Sequence, residues 1–291
     1  MKKVKQIAVI SGKGGTGKTV LTACFAVLAE SKVLVDCDVD AADLHLLLHP
    51  EIQERHEFNG GSVAFRDPGK CTGCGKCLEV CRFDAVKEDF DIDPVACEGC
   101  GFCVHVCPTE AIAMRKCING EWFVSKTSYG PMVHAALGPA EENSGKLVSI
   151  VRKRAGEIAE KTGAGYVIAD GPPGIGCPVI ASITGADLVL GVTEPSLSGI
   201  HDLERVAGVA SGFGIRMCCV VNKFDINLEN SRVIETWCEK HGITVAGRIP
   251  FDDAVTKAMV AGKTVMEFGP CPAGKEIRKV WQKVEECLIK V

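Results

Sequence analysis

Two cysteine runs with the same spacing occupy the middle of this sequence and constrain it more than any other feature. Cys71, Cys74, Cys77 and Cys81 spell C-x-x-C-x-x-C-x-x-x-C, and Cys97, Cys100, Cys103 and Cys107 repeat it 26 positions later. The tails Arg82-Phe83-Asp84-Ala85-Val86 and Pro108-Thr109-Glu110-Ala111-Ile112 are related as well. The remaining nine of the seventeen cysteines (24, 37, 117, 177, 218, 219, 238, 271 and 287) mostly sit in apolar strand or helix patterns and read as small buried hydrophobes. After Met1-Lys2-Lys3 the apolar stretch at residues 7–10 is too short for a signal-peptide core or a membrane span, so a cytoplasmic protein is expected. Thiols stay reduced there, and the two runs read as metal sites instead of a disulfide framework.

Outside the runs, short β-branched segments alternate with helical patterns. Strands are expected near 5–10, 32–36, 166–170, 188–193, 215–222 and 245–249, and helices near 17–30, 199–211, 229–241, 252–261 and 274–289. A strand pair is expected around Tyr129-Gly130-Pro131. This rhythm implies an α/β fold, a doubly wound and mainly parallel sheet with helices on both faces. The cysteine repeat breaks the rhythm and reads as a small insert at 62–116, between a first part at 1–61 and a second at 117–291 of the larger domain. A chain of 291 residues with 46% hydrophobic content can fill both cores. The net charge of −4 offers no global positive field for nucleic acid.

After the first apolar run comes Gly12-Lys13-Gly14-Gly15-Thr16-Gly17-Lys18-Thr19, a complete G-x-x-x-x-G-K-[ST] pattern between an expected strand and an expected helix. Glycines let backbone N–H groups face phosphate oxygens, Lys18 reaches the β- and γ-phosphates, and Thr19 ligates Mg2+. Lys13 inside the loop makes the pattern resemble the deviant Walker A group, the MinD/ParA/nitrogenase iron protein superfamily of P-loop ATPases. Val33-Leu34-Val35-Asp36-Cys37-Asp38 is similar to its second strand and switch I, and Tyr166 to Gly174 to its Walker B strand and switch II. Val220-Val221-Asn222-Lys223 and the segment from Ile249 and Pro250 to Val255 resemble its nucleotide-base-binding segments. The resemblance implies an ATP-dependent homodimer in which Lys13 reaches the partner's nucleotide. It also implies that Asp38 orients or activates the attacking water, Asp170 holds Mg2+ through water, and Asn222 contacts adenine. Asp36, Asp40 and Asp43 compete with Asp38 for that role.

The cysteine repeat, with Pro108 after its last thiol, closely resembles a bacterial ferredoxin with two [4Fe-4S] clusters. In such pairs the fourth cysteine of each run serves the other cluster. The resemblance assigns Cys71, Cys74, Cys77 and Cys107 to one cluster, and Cys97, Cys100, Cys103 and Cys81 to the other. Zinc in two four-thiolate sites is the competing metal. Arg82 stands where Pro is usual after the first run, which loosens the match slightly and is expected to alter the local turn. Cys177, seven residues after Asp170, reads either as a ligand of a cluster shared between subunits or as a buried small side chain. The stripe Ile277, Val280, Trp281, Val284, Leu288 and Val291 reads as a terminal helix docked on the sheet, with membrane targeting as the other possibility.

Two one-electron carriers beside an ATP switch suggest slow, partner-stimulated hydrolysis coupled to electron transfer or metallocluster assembly on a partner protein. The alternative is a positioning ATPase of the ParA/MinD kind whose ferredoxin insert senses redox state. Neither reading expects nucleic-acid binding or stable membrane insertion.

Overall fold

The computed structural model describes residues 3–138 and 144–289. In chain order the first elements are β1 (Lys5–Ser11), α1 (Lys18–Leu28), β2 (Lys32–Asp36), α2 (Leu44–Leu48), β3 (Glu51–Phe58) and β4 (Gly61–Arg66). The cysteine-rich stretch gives α3 (Lys76–Val80), α4 (Phe102–Val106) and β5 (Ile112–Cys117), followed by β6 (Gly120–Thr127) and β7 (Gly130–Leu137). The chain goes on with α5 (Ser144–Thr162), β8 (Tyr166–Pro173), α6 (Cys177–Ile183), β9 (Leu188–Thr193) and α7 (Leu197–Gly212). The last elements are β10 (Met217–Asn222), α8 (Leu228–Lys240), β11 (Thr244–Ile249), α9 (Asp253–Val260), α10 (Val265–Phe268) and α11 (Pro272–Ile289).

The chain forms two compact units. The larger comprises the residues before His56, Trp122–Ala136 and the chain from Ser144 onward, and the smaller spans His56–Glu121 with Leu137 and Gly138 of the described residues. The main sheet has the order β11-β10-β9-β1-β8-β2-β7-β6-β3, and every pair from β11 to β7 is parallel. From β1 the chain crosses to β2 on one side, and from β8 it crosses to β9 on the other. The carboxyl end of β1 therefore lies where crossovers diverge, the place in an open α/β sheet where a crevice forms.

Each face of the larger unit has its own core. Leu21 and Phe25 of α1 pack with Ile277, Val280, Trp281, Val284 and Leu288 of α11, all at most 5% exposed. The α11 stripe is therefore docked in the core, not presented to a membrane; Val291 lies outside the described residues. Among the described residues no helix is long and apolar enough to cross a membrane. On the other face Val179 and Ile183 of α6 and Val206 and Ala210 of α7 cover Ala8, Ile10 and Val189.

The smaller unit is a sequence repeat turned into a backbone repeat. Gly75 and Gly101 cap α3 and α4 in the left-handed region at φ 75° and 73°, and Gly73 and Gly99 match at 68° and 66°. Cys81 and Cys107 end the two helices with φ −71° and −75°. Arg82 therefore leaves the turn unaltered, because Cys81 adopts without a following proline the extended backbone that Pro108 imposes on Cys107. β4 and β5 pair antiparallel from Gly61↔Cys117 to Arg66↔Ile112.

Candidate functional site

The phosphate loop is built by the turn from β1 into α1. Gly17 caps α1 at φ 92°, and a Cβ there would lie 2.3 Å from the Asn222 amide; a Cβ on Gly12 would lie 2.3 Å from Asp202 Cβ. These two glycines are required by space and backbone, whereas Gly14 faces open surroundings and Gly15 is left-handed at φ 78°. Thr16 is buried, and its hydroxyl has no partner among the described residues.

Lys18 points into a nest of carboxylates at the strand ends. Its ammonium lies 3.4 Å from Asp38 Oδ2 and 3.5 Å from Asp170 Oδ1, with Thr19 Oγ1 at 3.3 Å. Burial works against its charge, but Asp170, Asp38 and Asp36 outweigh burial and raise its pKa. Burial raises the pKa of Asp170, against the pull of Lys18 and hydrogen bonds from Thr19 and Thr22. Asp170 Oδ2 is buried with no partner among the described residues. An orphaned carboxylate oxygen beside the Thr19 hydroxyl is the donor pair that Mg2+ with its retained waters accepts.

The competing aspartates separate by what they touch. Asp36 is 1% exposed, and its oxygens accept the backbone N–H groups of Asp38 and Leu44, so it shapes the segment that carries Asp38. Asp40 and Asp43 are exposed. Asp38 stays half-buried and reaches Lys18, with its pKa raised by burial against the opposing Lys18 charge.

Lys13 is held within its own chain. Its ammonium lies 2.6 Å from Glu194 Oε1, 2.9 Å from Ser198 Oγ and 3.2 Å from Ser196 Oγ, at the start of α7. Asn222 Nδ2 donates to Thr16 O at 2.7 Å, so this end of the amide braces the loop, and its Oδ1 accepts from the adjacent Lys223 N–H. Pro250 lines a separate groove with Phe224, Arg248, Met266 and Arg278.

In the smaller unit the eight run cysteines divide between two hollows. One is lined by Cys71, Cys74, Cys77 and Cys107, the other by Cys97, Cys100, Cys103 and Cys81. Among the described residues no three His, Cys, Asp or Glu side chains are grouped to hold a single metal ion. The cysteines are also much of the unit's interior: Cys77 packs with Ala64, Val86 and Ile112, and four further run cysteines, Cys81, Cys97, Cys103 and Cys107, border that cluster. Burial raises the Cys81 pKa, but N–H groups of Phe83, Ala85 and Val86 outweigh it and leave the thiol below its ordinary value. Ala111, Thr109 and Ile112, each 26 positions on, do the same for Cys107.

Of the nine scattered cysteines, Cys24, Cys37, Cys218, Cys219 and Cys238 are buried as expected, and Cys117, Cys271 and Cys287 are partly exposed. Cys177 is exposed at the first residue of α6, which corrects the reading of it as a buried side chain.

The family model for the CobQ/CobB/MinD/ParA nucleotide binding domain matches residues 7–265. An uncharacterised protein of Methanocaldococcus jannaschii is 32% identical, with 97% of each chain covered. The cell division ATPase MinD of Pyrococcus furiosus has a similar fold, with TM-score 0.59, 19% identity and coverage of 98% of this chain and 99% of that one. The septum site-determining protein MinD of Pyrococcus horikoshii, complexed with Mg-ADP, gives TM-score 0.61 at 16% identity over 99% and 100% of the two chains.

Proposed function

The chain belongs to the CobQ/CobB/MinD/ParA nucleotide-binding family, and on that premise we propose that it is an Mg-ATP-driven dimer switch carrying two [4Fe-4S] clusters in its smaller unit. ATP hydrolysis is the activity of the MinD/ParA branch of the family. The observation that carries the nucleotide half is the placement of Asp170 of β8, whose buried Oδ2 has no partner among the described residues, beside Lys18 and Thr19 at the start of α1.

In this reading the loop N–H groups and Lys18 hold the β- and γ-phosphates, Lys18 moving off Asp38 and Asp170 as it does so. Thr19 and Asp170 would hold Mg2+, which would neutralise phosphate charge there. Asp38, freed from Lys18, orients the water that attacks the γ-phosphorus, giving ADP and inorganic phosphate. Lys13 of a second subunit stabilises the charge that develops between the phosphates.

The two hollows support the cluster half. Thiolates bound to one zinc ion at about 2.3 Å crowd within about 4 Å of one another, whereas a four-iron cube keeps its four sulfurs farther apart around a core. A ring of four cysteines about a hollow suits the second geometry, and a clustered thiol core suits a small unit that needs a metal to be stable. Bound there, the clusters supply one-electron transfer.

Two readings of the switch's output follow. The likeness to a septum site-determining protein favours a positioning-type ATPase, with the smaller unit as a redox sensor. The cysteine hollows favour the other, in which ATP turnover gates electron delivery or metallocluster assembly on a partner protein. Anaerobic affinity capture with and without Mg-ATP separates them: the positioning reading requires ATP-dependent capture of a partner that is neither a redox nor a metallocluster protein. Capture of a redox or metallocluster protein only by the cluster-loaded form supports the second. The shared premise fails if sedimentation shows no dimer with Mg-ATP.

A further inference from the structure

Glu194 sits at the carboxyl end of β9 and holds two lysines of the nucleotide site at once. Oε1 lies 2.6 Å from Lys13 Nζ and Oε2 lies 3.6 Å from Lys223 Nζ. Lys223 in turn donates to Gly15 O at 3.2 Å, from a left-handed backbone at φ 53°. Ser196 and Ser198 complete the shell around the Lys13 ammonium. Burial raises the Glu194 pKa, but the lysines outweigh it and keep the carboxylate below its ordinary range, so it is charged at neutral pH.

This arrangement has a consequence for assembly. An ammonium that is to act on another subunit's phosphates must first leave these three oxygens. Its departure does not strand a bare carboxylate, because Lys223 remains beside Oε2. We propose that Glu194 is a latch that docks Lys13 within its own subunit and sets the nucleotide threshold for dimer formation, with Lys223 holding the latch neutral once Lys13 is released. The proposal rests on the reading of Lys13 as a residue that acts across the dimer.

Both members of the Lys13–Glu194 pair are partly exposed, at 30% and 23% of their side chains. Such a pair changes an equilibrium by up to about fivefold. A symmetric dimer opens two latches, so their joint effect on the dimer dissociation constant reaches about 25-fold, the square of that factor.

The test is sedimentation velocity of the full-length protein across a series of Mg-ATP concentrations. Glu194→Gln keeps the shape and removes the charge, and Glu194→Asp keeps the charge on a shorter arm. Glu194→Gln is expected to tighten the dimer between about 5- and 25-fold, with Glu194→Asp between it and the wild type. The same substitution in a Lys13→Ala background is expected to leave the protein as monomeric as Lys13→Ala alone, because no ammonium is left to dock or to reach a partner. An unchanged or weaker dimer in Glu194→Gln overturns the latch, and so does tightening that persists in the Lys13→Ala background. Failure of the underlying reading looks different: Lys13→Ala alone would then dimerise and hydrolyse ATP like the wild type.

Discussion

Asp36 and Asp170 are register partners at the ends of two adjacent parallel strands, and each is 1% exposed. Burial and the neighbouring Asp170 push the Asp36 pKa well above its usual value, and burial raises Asp170 too. A carboxylate whose folded pKa is raised favours the fold when protonated. That contribution is present below the ordinary aspartate range and is lost as pH rises through the raised values.

Asp170→Asn removes one charge of the pair. The metal-free variant is therefore expected to melt about 2–4 °C above the wild type at neutral pH, as a gain of about 1 kcal/mol gives for a domain of this size. The gap should close as pH falls toward the ordinary aspartate range. The same variant should lose the stabilisation that Mg-ATP gives the wild type. Scanning fluorimetry over pH, with and without Mg-ATP, measures both; a variant less stable at every pH contradicts the account.

The two loop lysines are expected to fail differently. Lys18 is buried and aimed at the strand ends, so Lys18→Ala should cost about 2–3 kcal/mol of nucleotide affinity, on the order of 100-fold. Lys13 is docked on Glu194 and the α7 serines, so Lys13→Ala should bind nucleotide within about threefold of the wild type while losing dimerisation and hydrolysis. Calorimetry read beside sedimentation distinguishes the two.

Among the switch aspartates, Asp38→Ala should lower ATP turnover about 100- to 1000-fold, the range for loss of a group that positions or activates water. Nucleotide binding and the ATP-bound dimer should survive, because Asp38 is half-buried and caps no helix. Asp40 and Asp43 are exposed, and replacing either with Ala should leave turnover within about twofold. Equal losses for all three would mean that the segment acts as a unit.

What the sequence disclosed, and what it hid, follows from where each signal lives. The strands at 32–36 and 188–193 coincide with β2 and β9 because both are buried, β-branched runs with polar punctuation. The 19-residue helix α5 escaped the reading although Leu147, Val148, Val151, Ala155 and Ala159 are all buried. Its apolar face is thin, partly alanine, and interrupted by Arg152, whose guanidinium donates to Ala181 O and Thr184 O at the end of α6. The phosphate loop was legible because glycine spacing records backbone geometry directly. The docking of Lys13 on Glu194 was not, because 181 residues separate two side chains that meet only when β9 pairs with β1. Asn222 taught the same lesson: its identity was readable, but its engagement with Thr16 O is a property of the assembled strand ends.

The cysteine arrangement makes the sharpest expectation. Anaerobically purified protein should be brown and carry about eight iron per chain, from two four-iron clusters; a colourless, zinc-loaded preparation contradicts this. Cys74→Ala should lose about half the iron, but that result alone does not show which cysteines act together. The hollows group Cys107 with Cys71, Cys74 and Cys77, and Cys81 with Cys97, Cys100 and Cys103. Cys74→Ala combined with Cys107→Ala then strikes one hollow twice and should still leave about four iron. Cys74→Ala combined with Cys81→Ala strikes both hollows and should leave almost none. If each run bound its own metal, the two double variants would exchange outcomes. Iron analysis with EPR of the reduced protein therefore decides the pairing, and the variant that keeps four iron also shows that the unit still folds.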